Sequence, residues 1–290
     1  MKNFREVSIE GCELIGSGAS GDVYRIDDDT AVKVYRNPDS LGEIELEQNL
    51  SRCAFVRGIP TVIPFGAAKI GDKYGSLFEL ADAQTLSRYI SEHPQELDGI
   101  ITKYADFLNV FHSVEFKPGD VPAMKDIYIS WLNEIAEYLP GEVKDRLICL
   151  LRSMPDDFHA LHGDIQPNNV MISGSELTVI DLGNLSIGNR VFDFGTLFMS
   201  LVAFNESYPE NAKFLGLDAE TDRKIYSGLL HNCFGDYDSV IEDKIKVAGY
   251  MWMIYVLAVL IPDTEKYRDG IENAAKNLAE LCGRVNSLAI

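Results

Sequence analysis

The chain changes character near residue 82, and this change restricts the fold more than any other feature of the sequence. Before it, short alternating runs separated by Gly, Pro and an Asp-rich turn are typical of β-strands, and only residues 40–56 read as a helix. After it, long amphipathic segments predict helices at residues 95–116, 125–139, 141–153, 192–205, 221–231, 239–261 and 265–285. The sequence therefore predicts an α+β fold of two lobes, with a small antiparallel sheet and one helix in residues 1–80 and a larger, mostly helical lobe in residues 81–290.

Composition and charge exclude several classes of protein. A net charge of −19 without a basic stripe argues against a nucleic-acid partner. Five scattered cysteines contain no CxxC pair, and the first residues contain no apolar signal sequence, so we expect a cytoplasmic protein without disulfides. The apolar run at residues 247–261 is shorter than the roughly 20 residues that cross a bilayer, which predicts a buried helix and no membrane insertion.

A glycine-rich run near the N-terminus fits the pattern GxGxxGxV, in which backbone amides approach phosphate oxygens closely. The alternating residues after it predict a hairpin instead of the helix that a dinucleotide-binding turn requires, and Asp22 stands where a Walker A loop requires lysine. A tight turn without a ligand remains the alternative. The candidate nucleotide-binding residues of this run are Gly16, Ser17, Gly18, Ala19, Ser20, Gly21 and Val23.

Lys33 lies in the next predicted strand, between two valines, so its side chain points to the face opposite theirs. There it would reach the α- and β-phosphates beneath the glycine loop; a solvated edge lysine is the alternative. Such a lysine needs a carboxylate partner. On the helical wheel of residues 40–56, Glu47 shares the arc of the apolar residues and is preferred, with Glu43 as the second choice.

The stretch "LHGDIQPNNVMI" contains the pattern HxDxxxxN at His162, Asp164 and Asn169. A carboxylate beside an attacking hydroxyl, followed by an amide that folds back to a metal ion, is the arrangement that phosphoryl transfer requires. Residues 168–183 then read as two short strands around a Gly-Ser turn, which would return Asp181 to the side of Asn169. Both residues offer oxygen ligands, which Mg²⁺ prefers.

Together these motifs resemble the protein-kinase-like superfamily and, more narrowly, the aminoglycoside phosphotransferase and choline kinase group. The resemblance covers roughly residues 14–198. It implies a protein-kinase-like fold, ATP or alternatively GTP as the donor, and Mg²⁺. It also implies that adenine lies against the linker near Phe78 and Leu80, and that Asp193 supports the catalytic loop through backbone hydrogen bonds. His162 is expected to be a second structural residue.

The run "RVFDFGTLF" spells the DFG triplet that holds a metal in protein kinases. Here, however, Asp193 opens a predicted helix and no strand precedes it. We therefore interpret Asp193 as structural and Asp181 as the metal ligand. Two residues depart from the resembling family: Gln166 replaces a cationic residue, and Asn189 replaces an aspartate.

The acceptor is expected to be a small alcohol, because only eleven residues separate Asp181 from Asp193 and leave no segment that would dock a peptide. Its pocket is expected between residues 125–139 and the C-terminal helices. Four aromatic residues there either surround an ammonium group with their rings or, as we prefer, pack in the core: Tyr128, Trp131, Trp252 and Tyr255. Four acids either bind amino groups or, by default, form a solvated face: Asp236, Asp238, Glu242 and Asp243. His112 reads as a packed helix residue.

The sequence thus predicts a small-molecule kinase that transfers the γ-phosphoryl group of a nucleoside triphosphate to a hydroxyl. The acceptor stays open among aminoglycosides, choline-like amines, sugars and amino alcohols, and no feature indicates the oligomeric state. The alternative is a nucleotide-binding protein without turnover, which Gln166 favours. An acyltransferase or hydrolase finds no support, because the sequence has no GxSxG elbow.

Overall fold

A computed structural model describes residues 4–18, 21–211, 213–261 and 263–290. The strands are β1 (Arg5–Glu6), β2 (Glu13–Ser17), β3 (Gly21–Arg25), β4 (Thr30–Tyr35), β5 (Pro64–Ile70), β6 (Lys73–Glu79), β7 (Gln84–Thr85), β8 (Ala160–Leu161), β9 (Val170–Ser173), β10 (Glu176–Val179) and β11 (Ser186–Ile187). The helices are α1 (Leu41–Val56), α2 (Leu86–Glu92), α3 (Leu97–Phe111), α4 (Met124–Glu134), α5 (Gly141–Arg152), α6 (Val191–Phe198), α7 (Phe204–Ser207), α8 (Ala219–Phe234), α9 (Ser239–Tyr255) and α10 (Arg268–Cys282).

The chain forms two compact units. The first comprises the residues up to Gln84 together with Met171–Leu185, and the second comprises Thr85–Val170 and Ser186–Ile290. The sequence predicts a lobe boundary after residue 80, whereas the first unit continues to Gln84 and also contains Met171–Leu185. A parallel bridge between Thr61 and Val179 attaches this segment to the chain that leads into β5.

The first unit is built on a sheet with the strand order β1-β5-β6-β4-β3-β2. Its pairings are antiparallel, as predicted, except that the two-residue strand β1 runs parallel to β5. A strand of two residues is too short to show an alternating pattern, so the sequence did not reveal it. Alternation in β4 buries Val32 and Val34 against Ala68, Ile70 and Leu77 and turns Lys33 to the opposite face.

Helix α1 lies over this sheet and is attached to it by polar as well as apolar contacts. It begins one residue after the predicted start and buries Ile44 and Ala54, with Glu47 on the same side. Gln48 donates hydrogen bonds to Ser76 Oγ and to the carbonyl of Leu77, both in β6. Because both acceptors lie in a central strand, α1 has a fixed position against the sheet.

The second unit is mostly helical, as predicted, and α6 is its most buried helix. Each residue from Val191 to Phe198 is buried. The predicted helix 192–205 is divided by a π-helical turn at Met199–Ala203, which the sequence pattern does not distinguish from an α-helix. Helix α2 was not predicted; Thr85 caps it by accepting a hydrogen bond from the Arg88 amide at 3.4 Å.

The apolar run at residues 247–261 contributes the second half of α9, which is buried from Val247 to Ile254. Within the described residues, no helix is both long enough and apolar enough to cross a membrane. The prediction of a buried helix is therefore confirmed for α9.

Helices α6 and α9 approach closely because each presents a glycine at the crossing. A Cβ atom at Gly195 would lie 2.8 Å from the Gly249 nitrogen and 2.9 Å from the Ala248 Cβ. A Cβ atom at Gly249 would in turn lie 2.7 Å from the Gly195 carbonyl oxygen. The glycine of the literal DFG triplet therefore serves helix packing.

We expect Gly195→Ala to destabilise the protein by about 1–3 kcal/mol, because the added methyl group must separate two packed helices. The matched control is Gly99→Ala in α3, where an added Cβ meets no atom within 4 Å and alanine favours the helix. Urea unfolding measures both variants. Equal stability of the two variants would contradict the close approach of α6 and α9.

A buried acid links the segment after the π-turn to α8. Asp222 is 1% exposed and accepts a hydrogen bond from Asn205 Nδ2 at 2.7 Å. Burial raises the pKa of Asp222 from 3.8 to about 6, despite this hydrogen bond. Since the folded protein holds the proton more tightly than the unfolded chain, stability falls as the pH rises from about 4 to about 6.

Asp222→Asn should remove this decline and raise the free energy of unfolding at pH 7 by about 1–3 kcal/mol, because no buried charge has to form. Thermal or urea unfolding between pH 4 and pH 7 measures the effect. The control is Glu272→Gln, which changes an exposed carboxylate in α10. A decline that persists in Asp222→Asn would assign it to other groups.

Candidate active site

Lys33 forms the centre of a charged cluster in the first unit. Its Nζ lies 2.9 Å from Asp181 Oδ1 and 3.5 Å from Glu47 Oε2. The structure thus brings Lys33 to the predicted carboxylate of α1, and the hydroxyl of Tyr35 donates a further hydrogen bond to Glu47. Burial opposes the charge on Lys33, but Asp181 and Glu47 outweigh it and hold the pKa of Lys33 above its ordinary value. The lysine is therefore positively charged near neutral pH.

Burial shifts the pKa of Glu47 in the opposite direction, because it lowers the pKa of a lysine and raises that of a carboxylic acid. Glu47 has a side chain only 6% exposed, and burial raises the pKa of Glu47 although Lys33 and the Tyr35 hydroxyl counteract it. Burial also raises the pKa of Tyr35, with the neighbouring Glu47 as the second cause. The cluster therefore depends on the charge of Lys33, which makes a buried carboxylate tolerable.

Asp181 lies just beyond β10 in an uncommon backbone conformation. Its φ of 62° and ψ of 55° are left-handed, and it is the only non-glycine residue with positive φ among those that the structure describes. Such a conformation costs about 1–3 kcal/mol and is typical of functional positions. The Asp181 side chain is 44% exposed, so one end of this carboxylate is open to a cation.

The glycine loop connects β2 to β3 as a hairpin, as the alternation after it predicted. Ser17 pairs with Asp22, and the amide of Gly18 donates to the carbonyl of Gly21 at 2.9 Å. An added Cβ at Gly21 would collide with the Val34 carbonyl group of β4. Only glycine is therefore tolerated there. Of the candidate loop residues, Ala19 and Ser20 lie outside the described residues, whereas Gly16 and Val23 form a pair between β2 and β3.

The sequence did not identify Arg36, which follows β4 and holds the base of this loop. Its Nη2 donates to the Gly18 carbonyl at 2.8 Å and to Asp22 Oδ1 at 3.0 Å. Ser17 Oγ donates to the same Asp22 oxygen at 2.6 Å. Asp22, which excluded a Walker A loop, is therefore neutralised by an arginine that contacts both strands of the hairpin.

The predicted base-binding linker is partly engaged in protein contacts. Phe78 pairs with Ala31 on one side and with Pro64 on the other. The amide of Leu80 donates to the Asp29 carbonyl at 2.8 Å. A base that binds the amide of Leu80 would have to displace this hydrogen bond.

The catalytic-loop pattern brings two predicted side chains, Asp164 and Asn169, together with Gln166 in the second unit. Asn169 Nδ2 donates to the Asp164 carbonyl at 2.8 Å and to Asp164 Oδ2 at 3.0 Å. Gln166 Nε2 donates to the same carboxylate oxygen at 3.2 Å. Because the amide nitrogen of Asn169 is turned toward Asp164, its oxygen faces the other way. Gln166, in place of a cation, thus orients Asp164 with a neutral donor.

The predicted Mg²⁺ ligands, Asn169 and Asp181, belong to different compact units. Each fits the chemistry of that ion, since one offers an amide oxygen and the other an exposed carboxylate. Within the described residues, no group of three or more His, Cys, Asp or Glu side chains forms a metal site.

A contact from α2 supports the catalytic loop and was missed with that helix. The Ser87 amide donates to the Pro167 carbonyl at 3.2 Å, and the Ser87 hydroxyl donates to Asn168 Oδ1. The sequence contains no motif for this contact, because Ser87 precedes the loop by about eighty positions.

Asp193 fixes the start of the catalytic loop from the interior of the second unit. It is fully buried and accepts hydrogen bonds from the backbone amides of His162 at 3.0 Å and Gly163 at 2.8 Å. His112 Nε2 lies 2.9 Å from the same carboxylate, so this histidine is more than the packed residue that the sequence indicated. Burial alone would raise the pKa of Asp193, but His112 and the other hydrogen bonds hold it below its ordinary value.

The four aromatic residues considered for an ammonium box pack on one another. The ring of Trp131 lies 4.7 Å from that of Trp252, 4.8 Å from that of Tyr128, and 4.5 Å from that of Tyr255, with which it is nearly parallel. Trp131 is only 8% exposed. Because the rings are in contact, they leave no space for a cation between them, and the cluster is part of the core.

Two of the four acids line a pocket of about 490 Å³ in the second unit, namely Glu242 and Asp243. Glu242 pairs with Lys246 at 2.8 Å. Asp238 instead caps α9 by accepting hydrogen bonds from the first amides of that helix. Asp164 does not line the pocket, so the pocket by itself does not define an acceptor site.

Comparison with known proteins identifies the family of the chain. The model of the phosphotransferase enzyme family, APH, matches residues 11–223, which is more than half of the chain. The chain belongs to this family. The predicted resemblance to aminoglycoside phosphotransferases and choline kinases is thereby confirmed. No curated protein matches the sequence.

Several solved structures share the fold. The streptomycin–ATP ternary complex of APH(2″)-IIa matches with a TM-score of 0.60 and 18% identity over 93% of each chain. ADP-bound APH(2″)-Ib matches with a TM-score of 0.59 and 18% identity over 93% of this chain and 94% of that one. A choline/ethanolamine kinase family protein from Mesorhizobium loti matches with a TM-score of 0.57 and 14% identity over 94% of this chain and 92% of that one. These likenesses confirm the predicted kinase-like fold class.

We expect His112→Ala to destabilise the protein by about 2–4 kcal/mol, because it leaves the buried Asp193 carboxylate without its charged or polar partner. The control is His231→Ala, which removes an exposed histidine in α8. Urea unfolding of His112→Ala, of Asp193→Asn and of the double variant measures the coupling between the two residues. If the losses of unfolding free energy in the two single variants add up to the loss in the double variant, the contact between His112 and Asp193 contributes nothing of its own.

Proposed function

We propose that the protein transfers the γ-phosphoryl group of ATP to a hydroxyl group of a small molecule in a Mg²⁺-dependent reaction. GTP is the alternative donor. The observation that carries the proposal is the catalytic loop itself. It presents a partly exposed carboxylate, Asp164, that Asn169 and Gln166 orient while Asp193 fixes the backbone beneath it.

Asp164 would accept or orient the proton of the acceptor hydroxyl. Its carboxylate already accepts two neutral hydrogen bonds, which hold it in one orientation without neutralising it. Asn169 and Asp181 would hold Mg²⁺, which supplies positive charge to the transferred phosphoryl group. His162 and Asp193 would act as structural support, because both are fully buried and the Asp193 carboxylate accepts hydrogen bonds from the amides of His162 and Gly163.

The first unit would bind the nucleotide. Lys33, kept charged by its two carboxylate neighbours, is suited to contact the α- and β-phosphates under the glycine loop. Adenine would lie against the linker at Phe78 and Leu80. The proposed nucleotide-binding lobe is residues 1–80, and the proposed catalytic and acceptor-binding lobe is residues 81–290.

The acceptor is proposed to be an aminoglycoside-, choline- or sugar-like alcohol. Related structures hold gentamicin or streptomycin. The net charge of −19 is explained by solubility alone and is compatible with a cationic acceptor. A second candidate is a nucleotide-binding protein without turnover. It is favoured by Gln166, which supplies a neutral donor at the position of a cationic residue.

The test is ATP consumption with Mg²⁺ across a panel of aminoglycosides, choline, ethanolamine, sugars and amino alcohols. We expect turnover with one acceptor class, and a fall of roughly a thousandfold or more in kcat for Asp164→Asn and for Asp181→Ala. Asp193→Ala is expected to lower the stability first, because its carboxylate is fully buried and is the acceptor for His112 and two backbone amides.

Tight ATP binding without turnover on any acceptor would favour the second candidate. Equal loss of kcat in Asp181→Ala and Asp193→Ala at equal stability would contradict the assigned roles of these two aspartates. Differential scanning calorimetry beside the kinetics separates loss of activity from loss of fold.

A further inference from the structure

The segment Val285–Ile290 follows α10 and is held against the second unit by side chains from other elements. Arg146 of α5 donates to the Val285 carbonyl at 2.9 Å, and Lys244 of α9 donates to the Ala289 carbonyl at 2.7 Å. Leu288 is fully buried. The segment is therefore anchored near both ends by hydrogen bonds and between them by a buried leucine.

Its last contact is with Asn189, the residue that replaces an aspartate of the resembling family. Asn189 Nδ2 donates to the Ile290 backbone oxygen at 3.0 Å, and the Ile290 amide donates back to Asn189 Oδ1 at 3.2 Å. The side-chain amide thus both donates to and accepts from the backbone of one residue, whereas an aspartate has no donor and would face the Ile290 oxygen with a negative charge. The asparagine at position 189 therefore has the donor and the acceptor that the backbone of Ile290 requires.

The same side chain begins the helix that controls the catalytic loop. Asn189 Oδ1 also accepts a hydrogen bond from the amide of Val191, the first residue of α6, at 3.1 Å. Two residues later Asp193 holds the amides of His162 and Gly163. A continuous series of hydrogen bonds and one helical turn therefore connects Ile290 to the residues directly before Asp164.

We propose that residues 285–290 form a positioning segment for the catalytic loop and that Asn189 is the positioning residue through which they act. The segment does not touch the reacting atoms. It fixes the start of α6, and α6 fixes the loop through Asp193. Its expected effect on turnover rests on the proposed function, but its effect on the loop does not.

The test is amide hydrogen exchange at His162 and Gly163, followed by NMR, in the full chain and in three variants. These are Asn189→Asp, a chain without Ile290, and the combination of both. We expect each single change to reduce the protection of the two amides from hydrogen exchange by roughly tenfold. The combined variant should lose little more protection than either single variant, because both changes break the same contact. The matched control is Asn286→Asp, the same chemical change at an exposed residue of the same segment.

Full protection of the two amides in both single variants would overturn the proposal. So would a loss of protection in the combined variant that equals the sum of the losses in the two single variants. Equal loss of protection in Asn286→Asp would also overturn it, since Asn189 would then have no special part. If an acceptor is found, we further expect kcat to fall in Asn189→Asp while the affinity for the nucleotide is unchanged. Lost protection without turnover in any form of the protein would leave the positioning role standing and remove the proposed function.

Discussion

The buried carboxylate of Asp193 is the interaction on which the second unit depends. A fully buried anion is stable only when it is surrounded by donors, and Asp193 receives two backbone amides and His112. These donors lie about thirty and eighty positions earlier in the chain, so the carboxylate fixes the end of α3 and the catalytic loop relative to α6. The orientation of Asp164, which follows the two amides directly, is a consequence of that requirement.

Helix α6 contacts both the catalytic loop and helix α9. Its first turn carries Asp193, and its next residues include Gly195, which allows α9 to approach. Because one short helix contains both, a displacement of α9 would also displace the loop. The literal DFG triplet is thus explained by two separate packing requirements on one helix, and a metal site is not needed to account for it.

Much of the fold and of the candidate site could be predicted from the sequence, because local pattern determines it. Alternation placed Lys33 on the face opposite Val32, and the helical period placed Glu47 on the buried side of α1. The pairing of His112 with Asp193 and the contact of Asn189 with Ile290 could not be predicted in this way. They join residues about eighty or a hundred positions apart and depend on how helices pack, which the local pattern of a single sequence does not record.

The two ion pairs of Lys33 differ in how easily they exchange. The contact with Asp181 is the shorter one, at 2.9 Å against 3.5 Å for Glu47, yet the Asp181 side chain is 44% exposed and that of Glu47 only 6%. Loss of Lys33 would leave Glu47 as an unpaired buried charge, whereas Asp181 can be solvated at little cost. The pair with Glu47 is therefore the permanent one. In the proposed reaction Asp181 would hold the cation and Lys33 would contact phosphate, and the exposure of the Asp181 side chain is compatible with such an exchange.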